Sequence, residues 1–305
     1  VIILNKILVT GGTGFIGSRV CKKLVELGYE ISIICRESSN YKNINCIIDE
    51  VDIFVYNNDI NELINYFKIR NFDLIIHFAS SCIIDHNKDN IDFIIDSDIK
   101  FSIHILEAMR YSNCNRILNT STYGQHYNNE IYNPCCLYAI MKKTFEDTLK
   151  FYNEDFDINY ITLELFDTYG ENDTRNKFLN LLQKHSINNI PLDMSNGEQI
   201  LDLLYIEDVV SAYLIAIDMI FKNNGINKKY SLQSENRISL RDLVELYKKI
   251  TNKHLNINYG ARPYRKRELM IPWDKGEVLP NWKPKYSLQE GIKKVFINTK
   301  EDNND

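Results

Sequence analysis

The chain has 305 residues, 44% of them hydrophobic and 25% charged, which is the make-up of a globular protein with a buried core rather than a disordered or fibrous one. Lys and Arg number 36 against 41 Asp and Glu, a net charge of −5, and no basic run is long enough to track a polyanion. A small ligand is therefore the expected partner, and nucleic acid is not. The seven cysteines (21, 35, 46, 82, 114, 135 and 136) form no C-x-x-C pair and no Cys/His spacing of a metal site. They read as reduced, mostly buried thiols of a cytoplasmic protein, with no metal expected. The apolar start, Val1 to Val9, is interrupted by Asn5 and Lys6 and reads as a strand rather than a leader. No stretch reaches the roughly 20 apolar residues that span a bilayer, so no membrane association is expected.

In chain order, β-branched runs predict strands at about 6–10, 30–35, 52–56, 73–78, 116–120 and 158–164. Helical periodicity fills the intervals, notably 15–27, 60–69, 93–112 and 138–152. Beyond Gly170 the pattern changes to helices near 175–186, 207–222, 239–250 and 287–297, separated by short extended pieces. This order predicts an α/β fold, a Rossmann-type doubly wound parallel sheet with a smaller C-terminal α/β substrate lobe. The expected division is 1–170 for dinucleotide binding and 171–297 for the substrate lobe, with some interleaving of the two, followed by a polar tail, 298–305.

The segment from Thr10 to Gly17 follows the first strand and opens the first helix, with glycines at 11, 14 and 17. Gly11 permits the tight turn, Gly14 lets the backbone approach a pyrophosphate, and Gly17 allows close helix packing. The helix N-terminus then offers amide groups and a positive dipole end to phosphates, so Gly11, Thr13, Gly14, Phe15, Ile16 and Gly17 form the expected dinucleotide cradle. A carboxylate at the end of the second strand would accept the ribose 2′-hydroxyl and favour NAD. This chain has Arg36, with Ser38 and Ser39 after it, a set suited to a 2′-phosphate, so NADP(H) is favoured over NAD(H). The competing reading gives the ribose to Glu37 and leaves Arg36 in solvent.

Tyr138 and Lys142 lie four residues apart on one face of a predicted helix. A phenol is a poor acid–base group at neutral pH, and a nearby ammonium is expected to draw its pKa down. Upstream, the strand ending near Thr120 continues into Ser121 and Thr122, which bring a hydroxyl to the strand end; alignment of the strand end favours Thr122 as the catalytic one.

These features together resemble the extended short-chain dehydrogenase/reductase family of nucleotide-sugar enzymes, over nearly the whole chain. The resemblance implies adenine contacts at Asp59 and Ile60, cofactor contacts at Phe78, Ala79 and Ser80 after His77, a second role for Tyr138 and Lys142 in holding the cofactor, and substrate contacts at Ser81, Ser121 and Asp167. It continues through Gly197 to Val210. Three stretches, 166–175, 195–199 and 262–268, look like the CDP-abequose/CDP-paratose synthase subgroup, whose members reduce the 4-keto group of a CDP-3,6-dideoxyhexose. The implied function is NADPH-dependent reduction of the 4-keto group of a nucleotide-diphospho-6-deoxy or 3,6-dideoxy sugar for surface polysaccharide, including lipopolysaccharide, in a cytoplasmic homodimer. Many relatives carry Asn where this chain has Asp167 and Arg where it has Leu201, so Arg175, Lys177, Arg262, Arg265 and Arg267 become the candidate diphosphate cations. A 4,6-dehydratase would need an Asp-Glu pair after Thr122, where Tyr123 and Gly124 stand. A 4-epimerase with bound NAD shares the Tyr/Lys/Thr set, with Arg36 against it. A nucleotide-sensing protein would not need that set. His126, Cys135 and Cys136 read as packing or loop residues.

Overall fold

A computed structural model describes residues 5–234 and 236–297 of the chain; the expected polar tail lies outside them. The first half alternates as anticipated: β1 (Lys6–Thr10), α1 (Phe15–Glu26), β2 (Glu30–Cys35), β3 (Val51–Val55), α2 (Ile60–Arg70), β4 (Leu74–His77), α3 (Ile91–Ile95), α4 (Phe101–Arg110), β5 (Arg116–Thr122), α5 (Leu137–Phe156) and β6 (Asn159–Leu165). The remainder comprises β7 (Asp167–Tyr169), α6 (Phe178–Asn188), β8 (Leu192–Met194), β9 (Ile200–Tyr205), α7 (Ile206–Lys222), β10 (Asn227–Leu232), β11 (Arg237–Ser239), α8 (Leu240–Thr251), β12 (Ile257–Tyr259) and α9 (Leu288–Phe296).

Three local features matter. A 3₁₀ segment, Lys42–Glu50, fills the space between β2 and β3, where Ile44 and Ile47 bury one edge at a spacing of three. The single helix expected over 93–112 is α3 and α4 joined by a π-turn at Asp96–Lys100, which carries the buried Asp98. Helix ends are marked by Asn and Asp rather than Gly: α2, α5, α6 and α8 stop at Asn71, Asp157, Asn189 and Asn252, each left-handed with φ between 51° and 55°. With only 12 glycines in the chain, short polar side chains that tolerate this conformation take over the task.

The chain divides into two compact units, but not at residue 170. One unit takes 5–122, 136–164 and 212–231; the other takes 123–135, 165–211 and 232–297. The chain returns to the first unit at 212–231 because the last strand of the large sheet, β10, comes from beyond α7. The first unit is built on a seven-stranded sheet ordered β10-β6-β5-β4-β1-β2-β3. Its pairs β1/β2, β2/β3, β1/β4 and β4/β5 are parallel, with registers such as Val9 opposite Ile33 and Ile76. Ile7, Leu8, Val9, Leu74, Ile75 and Ile76 are fully buried, as strands covered on both faces require. The order reverses between β1 and β4, so the loops after these two strands lie at the switch point of the sheet. The second unit holds a three-stranded sheet, β11-β9-β7, antiparallel then parallel, and a parallel pair, β8 with β12. Among the described residues no helix is long and apolar enough to cross a membrane.

Gly11 has φ +67°, and a Cβ on it would sit 2.8 Å from the Ala79 amide nitrogen; Gly225 has φ +80° with nothing within 4 Å. Gly11→Ala is therefore expected to destabilise the protein by more than about 1 kcal/mol and by more than Gly225→Ala, because only the former adds a clash to the strain. Urea unfolding of the two variants measures the difference.

Candidate active site

At the switch point a short polar chain ties β1 to β4. The Ala79 amide donates to Thr10 Oγ1 at 3.2 Å, Thr10 Oγ1 meets His77 Nδ1 at 2.9 Å, and His77 Nε2 meets Ser102 Oγ of α4 at 3.0 Å. A neutral imidazole protonated on Nε2 satisfies all of these contacts. Burial, aided by the charge of Lys142, pushes the His77 pKa down to about 3, so the ring stays neutral. The turn above is closed by Gly14 N to Gly11 O at 3.0 Å. A Cβ at Gly17 would fall 2.3 Å from Gly11 O, so α1 can start where it does only with glycine there. The cradle is thus of backbone alone, with Gly14 as the N-cap of α1 and no acidic residue in the first turn, which suits an anionic dinucleotide. Gly12, which the motif reading passed over, is also constrained, though by a side chain: its Cβ would meet Ile33 at 2.9 Å. Thr13 is braced from the 3₁₀ segment, where Asn43 Nδ2 donates to its carbonyl at 3.0 Å.

Arg36 leaves the end of β2 exposed, its guanidinium 5.3 Å from the ring centroid of Phe93 on α3. Ser39 closes the turn behind it, accepting the Arg36 amide at 3.0 Å; Ser38 and Glu37 are exposed. Asp59 is the N-cap of α2, accepting from the Asn61 amide at 2.8 Å, with Ile60 as the first helical residue. Phe78 packs on Tyr213, centroids 4.7 Å apart.

The expected catalytic pair sits at the start of α5. Ala139, Lys142, Phe145, Leu149 and Tyr152 form its buried stripe, so Lys142 occupies a position that periodicity would give to an apolar residue. Tyr138, one residue before this stripe begins, is partly buried, and its hydroxyl is hydrogen-bonded with the side chains of Ser80 and Cys82 in the loop after β4. Its pKa departs from expectation. Burial first, then the charges of Cys82 and Asp98, hold it well above the ordinary phenol range rather than drawing it below. Burial lowers the Lys142 pKa, opposed by Asp98, Cys82 and Glu146. The sequence offers no signal for Cys82, which reaches Tyr138 from a left-handed backbone position, φ 52°. The thiols as a group are less buried than expected: Cys21, Cys35 and Cys114 are buried, whereas Cys46 and Cys82 are exposed.

β5 runs two residues further than predicted, placing Ser121 and Thr122 on opposite faces of its last turn of pleat. Ser121 is buried and donates to Glu146 of α5. Glu146 also accepts from Lys229 Nζ at 3.2 Å, and Lys229 pairs with Glu164 at 2.6 Å. Thr122 is partly exposed at the strand end.

In the second unit, Asp167 Oδ1 accepts from Lys177 Nζ at 2.9 Å and Oδ2 from the Tyr123 hydroxyl at 2.8 Å. Burial favours the neutral carboxyl, but the Lys177 charge and hydrogen bond, the Tyr123 hydroxyl and Arg175 outweigh it and hold the pKa below its usual value. Arg175 is engaged by Asp173 at 2.8 Å and by the Thr168 carbonyl at 2.9 Å. Arg265 pairs with Glu268 at 3.1 Å. Arg267 donates to the Pro134 carbonyl at 3.0 Å and lies over Tyr127 at 4.5 Å, bracing the 123–135 segment. Arg262 is exposed, and its side chain has no such partner among the described residues. The structure adds Arg237, directly opposite Asp202 in the β9/β11 register and paired with it at 3.2 Å, one residue from the Leu201 position where a cation was missed. His126 is buried, stacked on Trp273 at 4.0 Å, with Nδ1 on the Glu130 carbonyl, consistent with a packing role.

The sequence profile of the NAD dependent epimerase/dehydratase family matches residues 7–229. A Methanocaldococcus jannaschii protein provisionally named a UDP-glucose 4-epimerase is 29% identical, with 98% of this chain and 99% of the relative covered. The CDP-abequose synthase of Salmonella muenchen is 28% identical over 96% of this chain and 97% of its own. Among solved structures, the UDP-glucose 4-epimerase of Thermotoga maritima superposes with a TM-score of 0.84 at 24% identity, covering 95% of this chain and 97% of that one. That likeness is one of fold.

The buried neutral His77 has a pH consequence. Between its folded pKa of about 3 and the unfolded value of about 6.5, the unfolded chain binds the proton and the folded chain does not. Stability is therefore lost as pH falls below about 6.5, at up to about 1.4 kcal/mol per pH unit from this group. Melting temperatures from pH 7 to pH 4 are expected to fall less steeply in a folded His77→Gln variant than in wild type.

Proposed function

The chain belongs to the NAD dependent epimerase/dehydratase family, and within it we propose that this protein is an NADPH-dependent reductase of the 4-keto group of a nucleotide-diphospho-6-deoxy or 3,6-dideoxy sugar. The observation that carries the reading is the pairing of Tyr138 and Lys142 on α5 with a strand end, Thr122, that is followed by Tyr123 rather than by an acid–base pair. Water elimination lacks its groups there, since the Tyr123 hydroxyl is committed to Asp167. The similarity to a CDP-abequose synthase over nearly the whole of both chains supports the same substrate class.

The residues 11–17, Arg36, Ser38, Ser39, Asp59, Ile60 and 78–80 would hold the dinucleotide, with Lys142 on its nicotinamide ribose. When bound, it supplies hydride to the substrate carbon. Negative charge then develops on the C4 oxygen and must be met there. The Tyr138 O–H, held protonated in its buried setting, gives its proton to that oxygen, and the Thr122 hydroxyl donates a hydrogen bond to it. Ser121 is bound to Glu146, which favours Thr122 for this role. On the substrate side, Arg262 is the candidate cation with its side chain disengaged, while Lys177 is balanced by Asp167. Ser81, Arg175 and Arg265 complete the proposed contacts. A cytoplasmic homodimer feeding surface polysaccharide synthesis belongs to the same proposal. The similarity to a protein named for 4-epimerisation favours a second reading, interconversion of C4 epimers with retained NAD. Incubation with NADPH and enzymatically made 4-keto-6-deoxy nucleotide sugars separates the two: net loss of nicotinamide absorbance supports reduction, and epimer exchange without it supports the alternative.

Loss of a general acid costs about 10² to 10⁴ in rate, so Tyr138→Phe is expected to lower kcat by at least about 10² while NADPH binding stays near wild type. Lys142→Ala is expected to weaken both. Steady-state kinetics with fluorescence titration of the cofactor check this pair.

Arg36 is expected to favour NADPH over NADH by on the order of tenfold, from one charge-assisted contact of about 1.5 kcal/mol. Arg36→Asp is expected to reverse the preference; equal wild-type affinities in a titration of both dinucleotides would remove the argument.

A further inference from the structure

Tyr138 and Lys142 are followed on α5 by Glu146, at the same spacing of four and therefore along the same side of the helix. The first two carry the proposed chemistry; the third has no part in it. With 10% of its side chain exposed, Glu146 is built into the first unit by groups from the large sheet. At the end of β5, Ser121 Oγ donates to its Oε1. Lys229 Nζ, from β10, lies 3.2 Å from Oε1 and 3.3 Å from Oε2. The same ammonium pairs at 2.6 Å with Glu164 of β6, a residue 1% exposed that also accepts from Ser231 Oγ at 3.3 Å. Lys143 approaches Glu146 at 3.9 Å, but its closer partner is Asp147, at 2.6 Å.

The strands β10, β6 and β5 are neighbours in the sheet, so this cluster joins three adjacent strands to one helix. Burial alone would lower the Lys229 pKa, yet Glu146 and Glu164 outweigh it and keep the ammonium charged. A carboxylate so little exposed is costly away from its partners, and Glu146 is accordingly held where Lys229 stands. Its second oxygen contact then falls on Ser121, one residue from Thr122. Successive side chains of a strand point to opposite faces, so a fixed Ser121 also fixes the direction of Thr122.

The hydroxyls of Thr122 and Tyr138 must converge on a single substrate oxygen, although one belongs to a strand and the other to a helix. We infer that Glu146 is a positioning residue: by accepting the Ser121 hydroxyl it fastens the end of β5 to α5 and holds Thr122 in register with Tyr138 and Lys142, while Lys229 holds Glu146 itself. The inference rests on the proposed roles of those three residues. It also gives Ser121 a task, as the donor that makes the fastening rather than as a second catalytic hydroxyl.

Two substitutions separate the acceptor from the charge. Glu146→Gln keeps an oxygen for the Ser121 hydroxyl and removes the charge, whereas Glu146→Ala removes both. In Glu146→Ala, kcat is expected to fall by about 10 to 10²-fold, the scale of a small misplacement of reacting groups, with NADPH affinity near wild type. In Glu146→Gln it is expected to stay within about threefold of wild type, because one neutral hydrogen bond replaces a charged one. Melting temperatures are expected to fall in both variants, since each leaves Lys229 with one acid fewer. A merely structural role would move stability in the pair without separating their kcat values. Unchanged kcat in Glu146→Ala overturns the inference, and so does an equal loss in Glu146→Gln, which would assign the effect to the charge that Glu146 presents to Lys142. Adding Ser121→Ala to Glu146→Ala is expected to cost nothing more, as two ends of one contact require; a further loss would make Ser121 an independent catalytic group and overturn the fastening. Turnover is read as NADPH loss or as C4 epimer exchange, whichever the wild type shows.

Amide hydrogen exchange of the full chain, with neither cofactor nor substrate present, keeps this test separate from the reductase assay. Exchange in the peptide covering 116–122 is expected to quicken by about threefold to tenfold in Glu146→Ala, the worth of one hydrogen bond, and to stay near wild type in Glu146→Gln. Unchanged exchange in Glu146→Ala overturns the inference whatever reaction the protein catalyses. Should that variant not fold, Ser121→Ala takes its place with the same expected quickening and the same overturning result.

Discussion

The Thr10 hydroxyl, shared between the Ala79 amide and the His77 ring, is the contact on which the first unit's chemistry depends. It draws the end of β4 against the turn after β1 so closely that only a glycine fits at position 11. Two loops that approach each other to backbone contact leave a cradle lined by amides rather than side chains, and the same pull sets the path of residues 79–82. Ser80, Ser81 and Cys82 reach Asp98 and Tyr138 because β4 ends where Thr10 holds it. A protonated His77 would take the Thr10 proton's acceptor away and put a positive charge in a buried site beside Lys142. Burial of the ring and neutrality of the ring are thus one requirement.

Buried and half-buried acids recur through the molecule, and each is accommodated differently. Asp98 is surrounded by neutral donors, Glu164 pairs with Lys229 and accepts from Ser231, Asp167 pairs with Lys177 and Tyr123, and Asp202 takes the Ser234 amide and Arg237. Removing the cation from such a set is costly, because the acid is left with its charge less well compensated. This explains why cations that stand out in the sequence as candidates for a diphosphate are not interchangeable. Lys177 and Arg175 already neutralise carboxylates of their own unit, whereas Arg262 pairs with none among the described residues.

The alternation of strands and helices, the glycine turn and the Tyr138/Lys142 pair were legible because each follows from local periodicity or spacing. What escaped the sequence reading depends on partners distant in the chain. Asp98 sits in an otherwise helical run, and nothing nearby reveals that the run widens there to meet Ser80 and Ser81, 18 and 17 residues earlier. Ser121 and Thr122 were two adjacent hydroxyls until the strand's extension turned one inward to Glu146. The lowered phenol pKa expected from Lys142 failed because burial and neighbouring acids, both tertiary, outweigh a charge one helical turn away.

The interleaved path of the chain bears on how the protein is made. β6 ends at Leu165, but β10, its outer neighbour in the large sheet, begins only at Asn227. At translation speeds of about 5–20 residues per second, the roughly sixty intervening residues take on the order of 3 to 12 s to emerge. During that interval an otherwise complete nucleotide-binding sheet presents β6 as an open edge, a template for pairing with other nascent chains. Its protection on the ribosome falls to whatever covers that edge first, and a ribosome stalled within α7 would release a fragment with its folding signals in place and its last strand missing.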